Sequence, residues 1–164
     1  YFYYQNQLPD LKDWQISAVM LIGSALNILA VYLASKVGKK YSALKLFPSV
    51  VLLTGVTYLF SYFGTPLIYI LIYLISNALY ALFQPVFDND LQKQLPSEVR
   101  ATMLSVYSMM FSLSMIVIFP VTGWLIDYFG FDWTFIVLGI FLLVLTPVLF
   151  WILKFVASNL KDNV

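Results

Sequence analysis

Residues 66–87, PLIYILIYLISNALYALFQPVF, contain no charged side chain yet place an amide or a phenol on nearly every helical turn. At about 100° per residue, Tyr69, Tyr73, Asn77, Tyr80 and Gln84 share a sector of roughly 80°, with Ser76 beside it. Leu67, Ile70, Leu71, Leu74, Ile75, Leu82 and Phe83 fill the remaining circumference. The run is long enough to cross a hydrocarbon core of about 30 Å. An amide such as Asn77 is strongly disfavoured when it faces lipid unpaired, so the pattern predicts a spanning helix whose polar line looks toward other helices or a water-filled cavity.

The rest of the chain has the same character. Of its 164 residues 62% are hydrophobic and 10% charged, with a mean hydropathy of +0.87, which sets the chain apart from soluble domains and marks an all-α integral membrane protein. Nine Lys and Arg oppose eight Asp and Glu, so there is no bulk attraction to nucleic acid. The absence of cysteine and histidine removes disulfides, thiol nucleophiles, imidazole bases and the commonest zinc ligands, and no cofactor or metal is called for. The opening segment lacks the basic stretch and small-residue cleavage site of a signal peptide, and the chain reads as a piece of a longer protein.

In chain order, residues 1–8 read as the last turns of a partial N-terminal helix ahead of a Pro-Asp turn. Asp13 is the expected N-cap of a first full span over 14–33, with Gly38 as its C-terminal cap. Ser17, Met20, Ser24, Asn27 and Val31 share one sector of that helix, an expected packing face on which Asn27 alone suggests more. A second span covers 46–63, where Thr54, Thr57 and Ser61 are expected to bond to carbonyls of their own helix. Thr65 and Pro66 then open the quoted helix, closing a tight hairpin. Residues 88–100 form the one long polar connection. A fourth span follows over 101–126, with Ser105, Ser108 and Ser112 on one side. Gly130 ends this helix, Asp132 caps the next, and the fifth span covers 133–153.

Five spans put the two ends of the chain on opposite sides of the membrane. Lys36, Lys39, Lys40, Lys45, Lys93, Arg100, Lys154 and Lys161 then share one side and only Lys12 the other, which assigns the first side and the C-terminus to the cytoplasm of a multi-pass cell-membrane protein. Trp14, Trp124, Tyr128 and Trp133 mark the outer interface and Trp151 the inner one.

Three local sequences carry a resemblance. Val31–Lys40 is similar to a degenerate copy of the loop motif G-x-x-x-D-R-x-G-R-K, keeping Lys36, Gly38, Lys39 and Lys40, with Val31 in place of Gly and Ser35 in place of Asp. LPSEVRAT at Leu95–Thr102 and GWLIDYFG at Gly123–Gly130 are similar to the start and the exit of one further helix. Together, and with the loop lengths and sides, they resemble the C-terminal half of a major facilitator superfamily transporter, from the end of its seventh helix through its twelfth. The resemblance covers nearly all of residues 1–164 and implies a single half-domain of a twelve-helix fold. It makes the quoted helix the tenth, lining the pathway, and the last helix the peripheral twelfth. It also implies that transport requires the missing N-terminal half of the same transporter.

Tyr69, Tyr73, Asn77, Tyr80 and Gln84 offer aromatic stacking and neutral hydrogen bonds, suited to an amphiphilic or weakly polar small molecule. Asn27, Ser108, Ser112, Gln5 and Asn6 are the other candidates along the pathway; packing is the alternative for the serines, and an interfacial anchor for Gln5 and Asn6. Asp88 and Asp90 raise a second reading, a metal-dependent lipid-modifying enzyme, against which a solvated loop is the simpler account. A complete five-span scaffold or accessory subunit is the third. The resemblance favours alternating-access transport, of efflux type, with the bilayer, a small-molecule substrate and the N-terminal half as partners and no role for nucleic acid.

Overall fold

The computed structural model describes the backbone of residues 11–161 and the side chains of residues 11–151, so the partial N-terminal helix and the side chains of Lys154 and Lys161 lie outside the described residues. All regular structure among the described residues is helical. Helix α1 is Asp13–Lys40, α2 is Ala43–Leu59, continued by a 3₁₀ turn at Phe60–Phe63, α3 is Pro66–Gln94, and α4 is Arg100–Lys161. Each is long and apolar enough to cross a membrane when α2 is taken with its 3₁₀ turn.

Helix α4 is far longer than one crossing needs, and Gly130 resolves it. Its φ of 79° and ψ of 169° interrupt the helix in a region that side chains disfavour. The contacts on either side show that the chain reverses there. Before Gly130, Tyr107 meets Phe87 near one end of α3 and Ile126 meets the Tyr69 cluster near the other. After it, Phe131 packs on Tyr69, Phe135 on Tyr58 and Gly139 on Gly55, retracing the bundle along α2. Four helices of spanning length are thus present, and the reversal at Gly130 divides the last of them into two segments, against the five separate spans expected. The end of the bundle holding Lys36, Lys39, Lys40, Lys45, Lys93 and Arg100 is termed the basic end below, and the opposite end, with Gly64 and Gly130, the far end.

Helices α2 and α3 pack together in the middle of the bundle, with α4 mainly on α2 and α1 on α3. Helix α1 runs parallel to it, with Gly23 against Tyr73 toward the far end and Gly38 against Val86 toward the basic end. Helix α2 returns antiparallel, and the second part of α4 packs on α2. Small residues make these contacts close: Gly23, Ala30 and Ala34 on α1, Gly55 and Thr57 on α2, Gly139 on α4 are all buried. A Cβ on Gly139 would come within 2.8 Å of the Gly55 carbonyl oxygen, so the two backbones touch.

Several sequence expectations are corrected. Lys12, not Asp13, caps α1; the Gln15 side chain accepts the Lys12 N–H at 2.8 Å and Asp13 lies in the first turn. The α1 packing face is Val19, Gly23, Ala30 and Ala34, while Ser17, Ser24 and Val31 are exposed, because glycine and alanine permit the closer approach. Gly38 does not cap α1, which continues to Lys40; it makes room for Val86, 3.2 Å from where its Cβ would stand. Helix α3 runs on to Gln94, so the connection shrinks to residues 95–99. Thr54 and Thr57 do bond back, to the Val50 and Leu53 carbonyls.

Candidate functional site

The polar line of α3 divides between packing and open space. At the far end Tyr69 is buried, its ring edge-on to Phe131 and its hydroxyl donating to the Asp132 carboxylate. Tyr73 is buried under α1, in a cluster with Val19. Asn77 donates its side-chain N–H to the Tyr73 carbonyl at 3.0 Å, which meets one need of an amide at this depth from its own helix. The register set by Gly23–Tyr73 and Gly38–Val86 brings Asn27 of α1 to about the same level, and its side-chain oxygen is buried with no hydrogen-bond partner.

Tyr80 and Gln84 instead line a cavity of about 490 Å³ between α2, α3 and the first part of α4. Tyr58 and Thr54 of α2, Ser76 of α3, and Tyr107 and Phe111 of α4 complete its walls with Phe47, Phe83 and Phe87. The rings form a series toward the basic end, with centroids 6.1 Å apart for Phe47–Phe83, 5.8 Å for Phe83–Phe87 and 5.6 Å for Phe87–Tyr107. Gln84 Nε2 donates to both carboxylate oxygens of Asp88, at 3.2 and 3.1 Å. The lining thus offers hydroxyls, one amide and aromatic faces, a surface for stacking and neutral hydrogen bonding.

A second cavity, about 460 Å³, lies at the basic end between the start of α2 and the last turns of α3, and shares Phe47, Phe83 and Phe87 with the first. Asp90 stands on its wall with its Oδ2 accepting the Ala43 N–H at 2.7 Å. The carboxylate expected in a solvated loop therefore caps α2 from another helix. Its charge meets the positive end of that helix, which begins three residues before the expected Leu46.

The other candidates are scattered. Ser108 and Ser112 are exposed on α4, where Ser112 donates to the Ser108 carbonyl. Lys36, Lys39 and Lys40 belong to the last turns of α1 rather than to a loop, with Lys36 over the Tyr32 ring at 4.8 Å and Lys40 over Tyr41 at 5.4 Å. Gln5 and Asn6 lie outside the described residues. No group of three His, Cys, Asp or Glu able to hold a metal occurs among the described residues. Tyr107 and Phe87 were not among the sequence candidates; the aromatic spacing that unites them spans two helices and has no signature within either.

A family model described as Major Facilitator Superfamily matches residues 8–163, nearly the whole chain. No curated protein and no solved structure matches it.

Proposed function

The chain belongs to the major facilitator superfamily, and from that premise we propose that it moves a small organic molecule across a membrane by alternating access, as one of two halves that rock about a shared site. It is a membrane transporter protein, with helices of spanning length and composition. The observation that supports a solute site is the cavity beside α3, where Tyr80 and Gln84 face aromatic walls and neutral hydrogen-bonding groups. Such a lining suits an amphiphilic molecule, and binding at one half leaves the opposite wall to be supplied by the other. The count of lysines and arginines supports a cytoplasmic basic end and C-terminus in the cell membrane. The efflux direction rests on the resemblance alone.

Asp90 accepts the Ala43 N–H and Asp88 accepts from Gln84, structural contacts that support the transport reading over a metal-dependent lipid-modifying reaction. In liposomes, the chain together with its N-terminal half is expected to exchange an organic solute, and residues 1–164 alone are expected to insert without exchanging it. Tyr80→Ala and Gln84→Ala should each suppress exchange at normal expression. Exchange by residues 1–164 alone, or exchange unaffected by both substitutions, would overturn the reading.

A further inference from the structure

One layer of rings separates the two cavities. Phe47, Phe83 and Phe87 line both the cavity of about 490 Å³ between α2, α3 and the first part of α4 and the cavity of about 460 Å³ nearer the basic end. On each of the three helices, the residue of the first lining that lies closest to the basic end is aromatic: Phe47 on α2, Phe87 on α3 and Tyr107 on α4. With Phe83 they make a continuous series from α2 across α3 to α4, at 6.1, 5.8 and 5.6 Å between centroids. All four rings are only partly buried. The three phenylalanines have no hydrogen bond to lose, so a change of rotamer breaks ring contacts alone. Helices α3 and α4 make little backbone contact, and at this level Phe87 and Tyr107 bridge the gap with side chains.

We propose that Phe47, Phe83, Phe87 and Tyr107 form a movable partition inside this half, which retains a solute in the first cavity and admits it to the second when the rings turn aside. The basic-end cavity is then a second station on the path. It shares the phenylalanine wall, and Ser42, Gln94 and Asp90 supply its polar groups. Each cavity falls within the range of about 300–1,000 Å³ that holds a drug-sized molecule. The partition is distinct from closure between two halves, because it lies among three helices of one half and turns on side chains. The assignment rests on the reading of the first cavity as a solute site.

The test uses the whole transporter in sealed vesicles, with any cysteine of the other half replaced. The probe is an impermeant thiol reagent, methanethiosulfonate ethylsulfonate, added on the side from which Gln94→Cys in the basic-end cavity reacts. Thr54→Cys, in the first cavity and about 10 Å beyond Phe47 along α2, is expected to react slowly from that side. Phe87→Ala removes the ring contacts to Phe83 and Tyr107 and should speed Thr54→Cys about tenfold, the scale of one or two aromatic pairs, with Gln94→Cys unchanged. Phe83→Ala should act in the same way, Phe87→Tyr should keep the slow rate, and Phe141→Ala, at an exposed ring elsewhere on α4, should have no effect. Thr54→Cys reacting as fast as Gln94→Cys in the otherwise unchanged protein, or at a rate untouched by Phe83→Ala and Phe87→Ala, overturns the proposal. Should both alanine variants fail to fold, Phe87→Leu, which keeps bulk but not the ring contacts, is expected to raise the rate by a smaller factor, and no rise overturns the proposal instead. Ring-dependent labelling without exchange of an organic solute in liposomes keeps the partition and removes the transport reading. Exchange that is lost with Tyr80→Ala, alongside labelling that ignores the rings, keeps the transport reading and removes the partition.

Discussion

The Ala43 main-chain N–H donates to the Asp90 carboxylate at 2.7 Å, joining residues 47 positions apart at the basic end of the bundle. Ser42, the N-cap of α2, makes no side-chain capping bond, so Asp90 supplies from α3 what the cap does not. A charged acceptor on a helix N-terminus contributes about 1.5–3 kcal/mol when partly shielded. Asp90→Ala is therefore expected to lower stability by about 2 kcal/mol, and Asp90→Asn by less, since its amide oxygen can still accept. The check is the midpoint of unfolding in detergent. Equal midpoints for Asp90→Ala and the unchanged protein would show that the contact carries no weight.

At the far end the Tyr69 hydroxyl donates to Asp132, while Ser61 donates to the Asp132 carbonyl at 2.9 Å. The two bonds fasten the turn after Gly130 to the hairpin between α2 and α3. Tyr69→Phe keeps the edge-on ring contact with Phe131 and removes only the hydroxyl, leaving a carboxylate without that donor. A loss of about 1–3 kcal/mol is expected, with amide exchange rising first around residues 130–134. Exchange unchanged there, with stability intact, would place the hydroxyl outside the fastening.

Gly130 and Gly139 are each sensitive to a single methyl for opposite reasons. Nothing lies within 4 Å of a Cβ on Gly130, but its φ of 79° is strained for any side chain, so Gly130→Ala should cost about 1–3 kcal/mol through backbone conformation alone. Gly139 has helical neighbours on both sides, yet its Cβ would press on the Gly55 carbonyl oxygen at 2.8 Å and on Tyr58 at 3.1 Å. Gly139→Ala should cost a similar amount by forcing α2 and α4 apart. Gly139→Leu should be worse still, whereas at Gly130 the larger residue should add little. A size dependence at Gly130, or none at Gly139, would reverse the assignment of causes.

The spans were legible because hydropathy and length decide them locally, and Gly64–Thr65–Pro66 and Gly130 announced their turns through residues with special backbone preferences. What sequence did not disclose is relational. Nothing near Gly38 says that Val86 will need its space, and nothing near Asp90 says that a helix begins beside it. The polar line from Tyr69 to Gln84 was visible as a line, but only the placement of α1 and α4 decides which members are covered. The α1 face follows the same rule: Ser17 and Ser24 satisfy themselves through the Asp13 and Met20 carbonyls and stay outward, and Gly23 takes the contact with α3.

That division of the α3 line can be measured, because the chain has no cysteine of its own. Tyr80 is 54% exposed and borders the cavity with Gln84, whereas Tyr69 and Tyr73 are 7% and 8% exposed. Single substitutions Tyr80→Cys and Gln84→Cys in the whole transporter are expected to react with a water-soluble maleimide, and Tyr69→Cys and Tyr73→Cys to resist it. A bulky solute held in the cavity should slow Tyr80→Cys while leaving the residual rate at Tyr73→Cys unchanged. If Tyr73→Cys labels as fast as Tyr80→Cys, α1 does not stay seated on α3, and the pathway must then extend along the whole line toward Tyr69. If none of the four reacts while the protein still transports, the solute passes by another face of the bundle.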